Sequence, residues 1–337
     1  MKKNFKYIII FAFCFVIVTA VVFLSKIFNR HDCRNTAVSE LSEELRFAPK
    51  YSYALEKKFL NQRYLSPPYA VFFNTPNNSQ LLYIAEEHGT EPGSSTHQMI
   101  AKAFDSFSPD FVIVEGFEIG NDVIPVKLKQ YLQQYLREEA CSSKSNCDGA
   151  YYAAHLAVVK NIDFNSPEPT LKTVTQNLSD FYTSEDIAFY YFTQQIPQYF
   201  RERPNLTEKA LPGLFKEFMS NIIRNQEYTF DEYQKWLQKN LNGKVDFNTL
   251  INTQTIAPIE NGQYLQRLSS RIGIMRNANI VEMILKNITK HKRVLVVYGA
   301  SHYFIEKSLL EKRLGNPVYL KDAKSIHRYI KNLNLPN

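Results

Sequence analysis

The chain has 337 residues, 45% of them hydrophobic, with 24 phenylalanines and 21 tyrosines, which is apolar bulk enough for a large core and excludes general disorder. Its formal charge is +7, but residues 1–34 hold six Lys or Arg against one Asp, so only about +2 belongs to everything after them. A body so nearly neutral, with no basic stripe interleaved with aromatics, excludes nucleic acid as the expected partner.

The basic N-terminus frames YIIIFAFCFVIVTAVVFL, Tyr7 to Leu24, an uncharged run of 18 residues. At about 1.5 Å of rise per residue, such a helix comes close to spanning a bilayer core. Lys2, Lys3 and Lys6 precede it as in a signal n-region, yet the apolar stretch is long and no A-x-A cleavage site follows, so an uncleaved N-terminal transmembrane helix is expected. Lys26, Arg30 and Arg34 follow the run and bring the positive-inside comparison near a tie. Cysteine supplies the further signal. Cys141 and Cys147 sit in CSSKSNC, a polar loop in which a short disulfide would close in an oxidising compartment; the alternative is two surface thiols. Together these features predict a single-pass membrane protein with an extracytoplasmic body, periplasmic or extracellular.

Residues 35–68 are polar and mixed, with a helix near 39–45, and read as a stalk. YAVFFN and LLYIA are short β-rich runs separated by TPNNSQ, the grammar of a hairpin. A helix over 94–107 then leads to DFVIVEG, a continuous apolar strand of the kind buried on both faces of a parallel sheet. Helices follow at 126–139 and 151–159, then a short strand in NIDFNSPEP. Residues 183–243 form a helical stretch whose segments open on Thr or Asn before an acidic residue, as N-caps do, and whose Tyr/Phe stripe reads as core packing. A long helix over 262–290, the strand RVLVVYG, a helix over 303–314 and the strand PVYL complete the chain.

This order predicts an α/β fold with a central, mostly parallel sheet flanked by helices. The expected parts are a membrane anchor (1–34), the stalk (35–68), the two halves of the α/β domain (69–182 and 261–325), an all-helical insertion between them (183–260) and a tail (326–337). Ligands of such sheets gather beyond the carboxyl ends of the strands. On that rim the sequence places Glu86 and His88, Glu115, Glu168 and His302, from four distant segments. Imidazole and carboxylate serve either as ligands of divalent Zn, Mn, Co or Fe or as acid/base groups near neutral pH. Crowded carboxylates also call for an offsetting cation, a metal or an arginine.

AEEH at Ala85–His88, VIVEG around Glu115, RNANIVEMI from Arg276 and GASH at Gly299–His302 resemble, in order, the signatures of the Tiki/TraB superfamily, which also groups the erythromycin-esterase-like and ChaN-like haem-uptake proteins. The resemblance covers residues 69–320 and departs from the pattern at Ala85, where that family usually has Gly. It implies His88 and His302 as metal ligands or catalytic imidazoles, Glu115 as ligand or general base, and Arg276 as partner of the carboxylates or of a developing oxyanion. Glu86 matches the start of the esterase-like motif. The implied activity is hydrolysis of a peptide or ester bond, assisted by a divalent metal. ChaN-like relatives imply the alternative of haem held by His97, and TraB/PrgY relatives that of a peptide signal sequestered without cleavage.

Overall fold

The computed structural model describes residues 40–46, 53–87, 93–116, 147–203, 205–222, 228–241 and 245–333. A short helix at residues 40–46 and the helix Tyr53–Arg63 (α1) lead into a hairpin of Tyr69–Asn74 (β1) and Gln80–Glu86 (β2). Its turn is closed by the Thr75 hydroxyl, which donates to the Ser79 carbonyl at 2.8 Å, and passes through Asn78 at φ 60°, a left-handed conformation that asparagine tolerates. Ser95–Lys102 (α2), capped by the Ser94 hydroxyl, continues through a π turn to Phe107 and delivers Phe111–Val114 (β3). Gly149–Val159 (α3), capped by Asp148, precedes Asp163–Asn165 (β4).

The described elements from there to the next strand are all helical: Leu171–Leu178 (α4), Ser184–Glu202 (α5), Leu211–Ile222 (α6), Phe230–Asn240 (α7), Phe247–Ile251 (α8) and the long Tyr264–Ile288 (α9). Thr183 and Thr229 form capping boxes with Asp186 and Glu232, as their spacing predicts. Thr207 makes no such bond. It opens only a 3-10 turn before α6, whose second residue, Pro212, has no amide hydrogen for a capping side chain. Arg293–Gly299 (β5) runs directly into Ala300–Leu314 (α10), and Val318–Leu320 (β6) and Ala323–Asn332 (α11) follow.

The six strands lie in the order β4-β3-β5-β2-β1-β6. β4, β3, β5 and β2 are mutually parallel, whereas β1 is antiparallel to both its neighbours, so the sheet is mixed with a parallel majority. Period two divides its side chains cleanly. Tyr83, Ala85, Ile113, Val296 and Tyr298 enter the core beneath α1, α10 and the second half of α9; Leu82, Ile84, Val112, Val114 and Val297 enter the core beneath α2, α3 and α11. A third core lies in the helical layer, where Phe189, Phe192, Phe215, Tyr233 and Trp236 pack edge to face and stacked.

α9 belongs to two of these cores. Leu265, Leu268, Ile272 and Met275 are buried among the helical layer, and Ala278, Val281, Ile284 and Ile288 against the sheet. The changeover falls at Arg276 and Asn277.

Two flanking segments pack against the sheet. The segment read as a stalk contributes Leu41, Leu45 and Phe59 to the core over the sheet, because its two short helices bury one narrow edge each. The segment read as a tail is helical to Asn332, with Ile326 and Ile330 buried beneath the other face of the sheet. The expected helix at 126–139 lies outside the described residues, as does the Tyr7–Leu24 run. Among the described residues no helix is long and apolar enough to cross a membrane.

Candidate active site

β5 ends at Gly299, whose backbone turns straight into α10, so His302 occupies the first turn of that helix instead of the loop expected before it. Glu115, one residue beyond β3, has the strand parity of Ile113 and therefore points toward α9. Its Oε2 accepts the Gly299 amide at 2.9 Å, placing a carboxylate at the positive end of α10. Its Oε1 accepts from Arg276 Nη2 at 3.1 Å and lies 3.5 Å from His302 Nε2.

Arg276 also binds Glu168, which follows β4, through Nε and Nη2, both at 2.7 Å, in a two-pronged charge-assisted pair. The Tyr298 hydroxyl donates to the same carboxylate at 3.0 Å. The side chains of Arg276, Glu168 and Glu115 are 21, 10 and 14% exposed, so water screens these pairs little. Burial works against the Arg276 charge, but Glu168 and Glu115 outweigh it and hold the guanidinium well above its ordinary range. Burial pushes the Tyr298 phenol well up, and the two carboxylates push it further.

Asn277, the next residue on α9, fixes the imidazole. Its amide nitrogen donates to the Gly273 carbonyl at 2.7 Å, which turns its oxygen toward His302 Nδ1 at 2.8 Å. Nδ1 therefore carries a hydrogen, and Nε2 is the nitrogen that faces Glu115. Asn277 and Tyr298 are the members of the cluster that sequence reasoning did not single out. Asn277 entered only as context for Arg276, and Tyr298 was absorbed into an apolar strand, although its parity with Val296 places it on the same face.

The structure thus brings together Glu115, Glu168, Arg276 and His302. His88 lies outside the described residues. Glu86 is carried elsewhere: it shares the parity of Leu82 and Ile84 and packs on the opposite side of the sheet, at the start of α3, where a side chain on Gly149 would collide with its Oε2 and with Thr96. Gly149→Ala is accordingly expected to displace Glu86 and cost about 1–3 kcal/mol. Chemical denaturation checks this, and an unchanged midpoint would mean that Glu86 moves aside freely.

His97 is buried on α2 with both ring nitrogens engaged: Nδ1 accepts the Gly93 amide at 3.3 Å and Nε2 donates to the Cys147 carbonyl at 3.0 Å, while Tyr152 lies against its ring. This arrangement does not fit a haem-iron ligand.

The described donors do not fit a divalent metal by themselves either. Arg276 already lies between the two carboxylates and supplies their countercharge, and a second cation there would face the guanidinium. Among the described residues no group of three or more His, Cys, Asp or Glu is arranged to hold a metal ion. What the cluster can do is move a proton between Glu115 and His302. It can also receive negative charge at Arg276 Nη1, the guanidinium nitrogen left without a partner among the described residues.

No family model matches the chain, and neither a curated protein nor a solved structure matches it.

Proposed function

We propose that the chain is a membrane-anchored, extracytoplasmic hydrolase of the Tiki/TraB kind, in which Glu115 and His302 activate water against a peptide or ester carbonyl. The observation that carries this reading is the 3.5 Å approach of His302 Nε2 to Glu115 Oε1, with Asn277 holding the imidazole and Arg276 the carboxylate. A proton taken from the attacking water onto this pair can be returned from it to the leaving amine or alkoxide. Arg276 Nη1 is on hand for the oxyanion of the tetrahedral intermediate. The anchor is the Tyr7–Leu24 run. Cys147 is disulfide-bonded, which supports an oxidising side of the membrane.

The test is turnover by the full-length protein on a broad panel of peptides and esters, with and without a chelator. We expect cleavage that survives chelation. Activity lost to the chelator and restored by Mn, Co or Zn would reinstate a divalent metal, with His88 as a ligand to examine. Saturable binding of a peptide recovered intact would replace catalysis by sequestration, and a Soret band on adding haem would replace it by haem binding.

A further inference from the structure

Glu306 lies one helical turn beyond His302 on α10, on the stripe that carries Tyr303 and Leu310 into the core over the sheet. It is fully buried. Among the described residues its Oε1 has no hydrogen-bond partner, and its Oε2 meets only the Tyr83 hydroxyl of β2, at a long 3.5 Å. No cation among the described residues pairs with it. Arg276 is committed to Glu168 and Glu115, and Lys307 on the same helix extends over the Phe59 and Phe304 rings.

An ionised carboxylate in such a place, taken from water without a charged partner or good hydrogen bonds, is far costlier than a neutral carboxyl. The proposed hydrolysis makes no use of this group. The charged neighbours that act on it are Glu115 beyond β3, Glu168 beyond β4 and Arg276 on α9; burial, then Glu115, raises its proton affinity, and the Tyr83 hydroxyl and Arg276 lower it by less.

We infer that Glu306 is a positioning acid of the site, which stays a neutral carboxyl while Glu115 and Glu168 share Arg276, and whose loss of its proton at high pH breaks that sharing. One guanidinium then binds two carboxylates at working pH, and a third negative charge enters its field when Glu306 ionises. The third charge competes with Glu115 for Arg276 and repels the carboxylate that faces His302, which gives the site an upper pH limit. The inference stands on the charge balance of the cluster, so a failure to find hydrolysis leaves it intact.

The sign follows from linkage. Above the ordinary carboxyl range the unfolded chain has released this proton and the folded chain has kept it, so stability falls as pH rises until Glu306 ionises in the folded state as well. Glu306→Gln keeps the shape and cannot ionise. In denaturation of the full-length protein from about pH 5 upward, the ratio of the variant's folding equilibrium constant to that of wild type should climb about tenfold per pH unit and level off where Glu306 ionises in the folded state. A constant ratio overturns the inference, since a purely structural role would give only an offset. A second readout needs no stable Glu306 variant: infrared spectroscopy of protein carrying isotope-labelled glutamate should show a protonated carboxyl band at neutral pH that shifts in Tyr83→Phe. Absence of the band, or a band indifferent to Tyr83, overturns it equally.

Discussion

Arg276→Met should destabilise the protein by about 3–5 kcal/mol, because it leaves Glu168 and Glu115 buried without a countercharge. The guanidinium makes two 2.7 Å bonds to Glu168 and one of 3.1 Å to Glu115, and none of the three side chains is more than 21% exposed. A surface pair of the same geometry would contribute at most about 1 kcal/mol. Urea denaturation distinguishes the two cases. Glu168→Gln, introduced into the Arg276→Met protein, removes one of the stranded charges and should recover part of the loss, a coupling that a double-mutant cycle reads directly. Arg276→Lys keeps the charge but loses the fork that spans both carboxylates, and should fall between. A loss below about 1 kcal/mol in Arg276→Met would mean that the cluster is effectively solvated.

Glu115→Gln and His302→Ala should each lower turnover roughly 10²–10⁴-fold, the usual worth of a positioned acid/base group. The substitutions act differently on the fold. Glu115→Gln keeps an acceptor for the Gly299 amide but sets its NH2 against Arg276 Nη2, donor against donor, so a loss of about 1–2 kcal/mol is expected from that one bond. His302→Ala deprives Asn277 Oδ1 of its donor and opens a space at the start of α10, so a loss of about 1–3 kcal/mol is expected. Because the two groups handle one proton, the double variant should be scarcely slower than the worse single one. Multiplicative losses would place them in separate steps, and full activity in either variant would remove the proposed chemistry.

The strands were readable because each is a short apolar run bounded by turn residues, and β2, β3 and β5 emerge where LLYIA, DFVIVEG and RVLVVYG predict. Strand ends are where polar residues converge in such a sheet, so Glu115, Glu168 and His302 could be nominated from sequence. Which face each would take could not. Face depends on parity and on register between distant strands: Glu86 and Gly299 are neighbours in register, yet Glu86 points toward α3 while Glu115 points toward α9. The offsetting cation was left open between a metal and an arginine, because only folding brings α9 across the strand ends. Glu306 was invisible for the same reason. Four residues after His302 it looks like any helical surface charge until Tyr83 and the sheet close over it.

The division of α9 between two cores has a consequence for how the protein can diversify. Leu265 to Met275 grip the helical layer, whereas Arg276, Asn277 and everything after them answer to the sheet. A lineage could therefore swap or remodel the bundle formed by α4 to α8, while Arg276 and Asn277, which hold the carboxylates and the imidazole, are inherited unchanged on the distal half of the same rod.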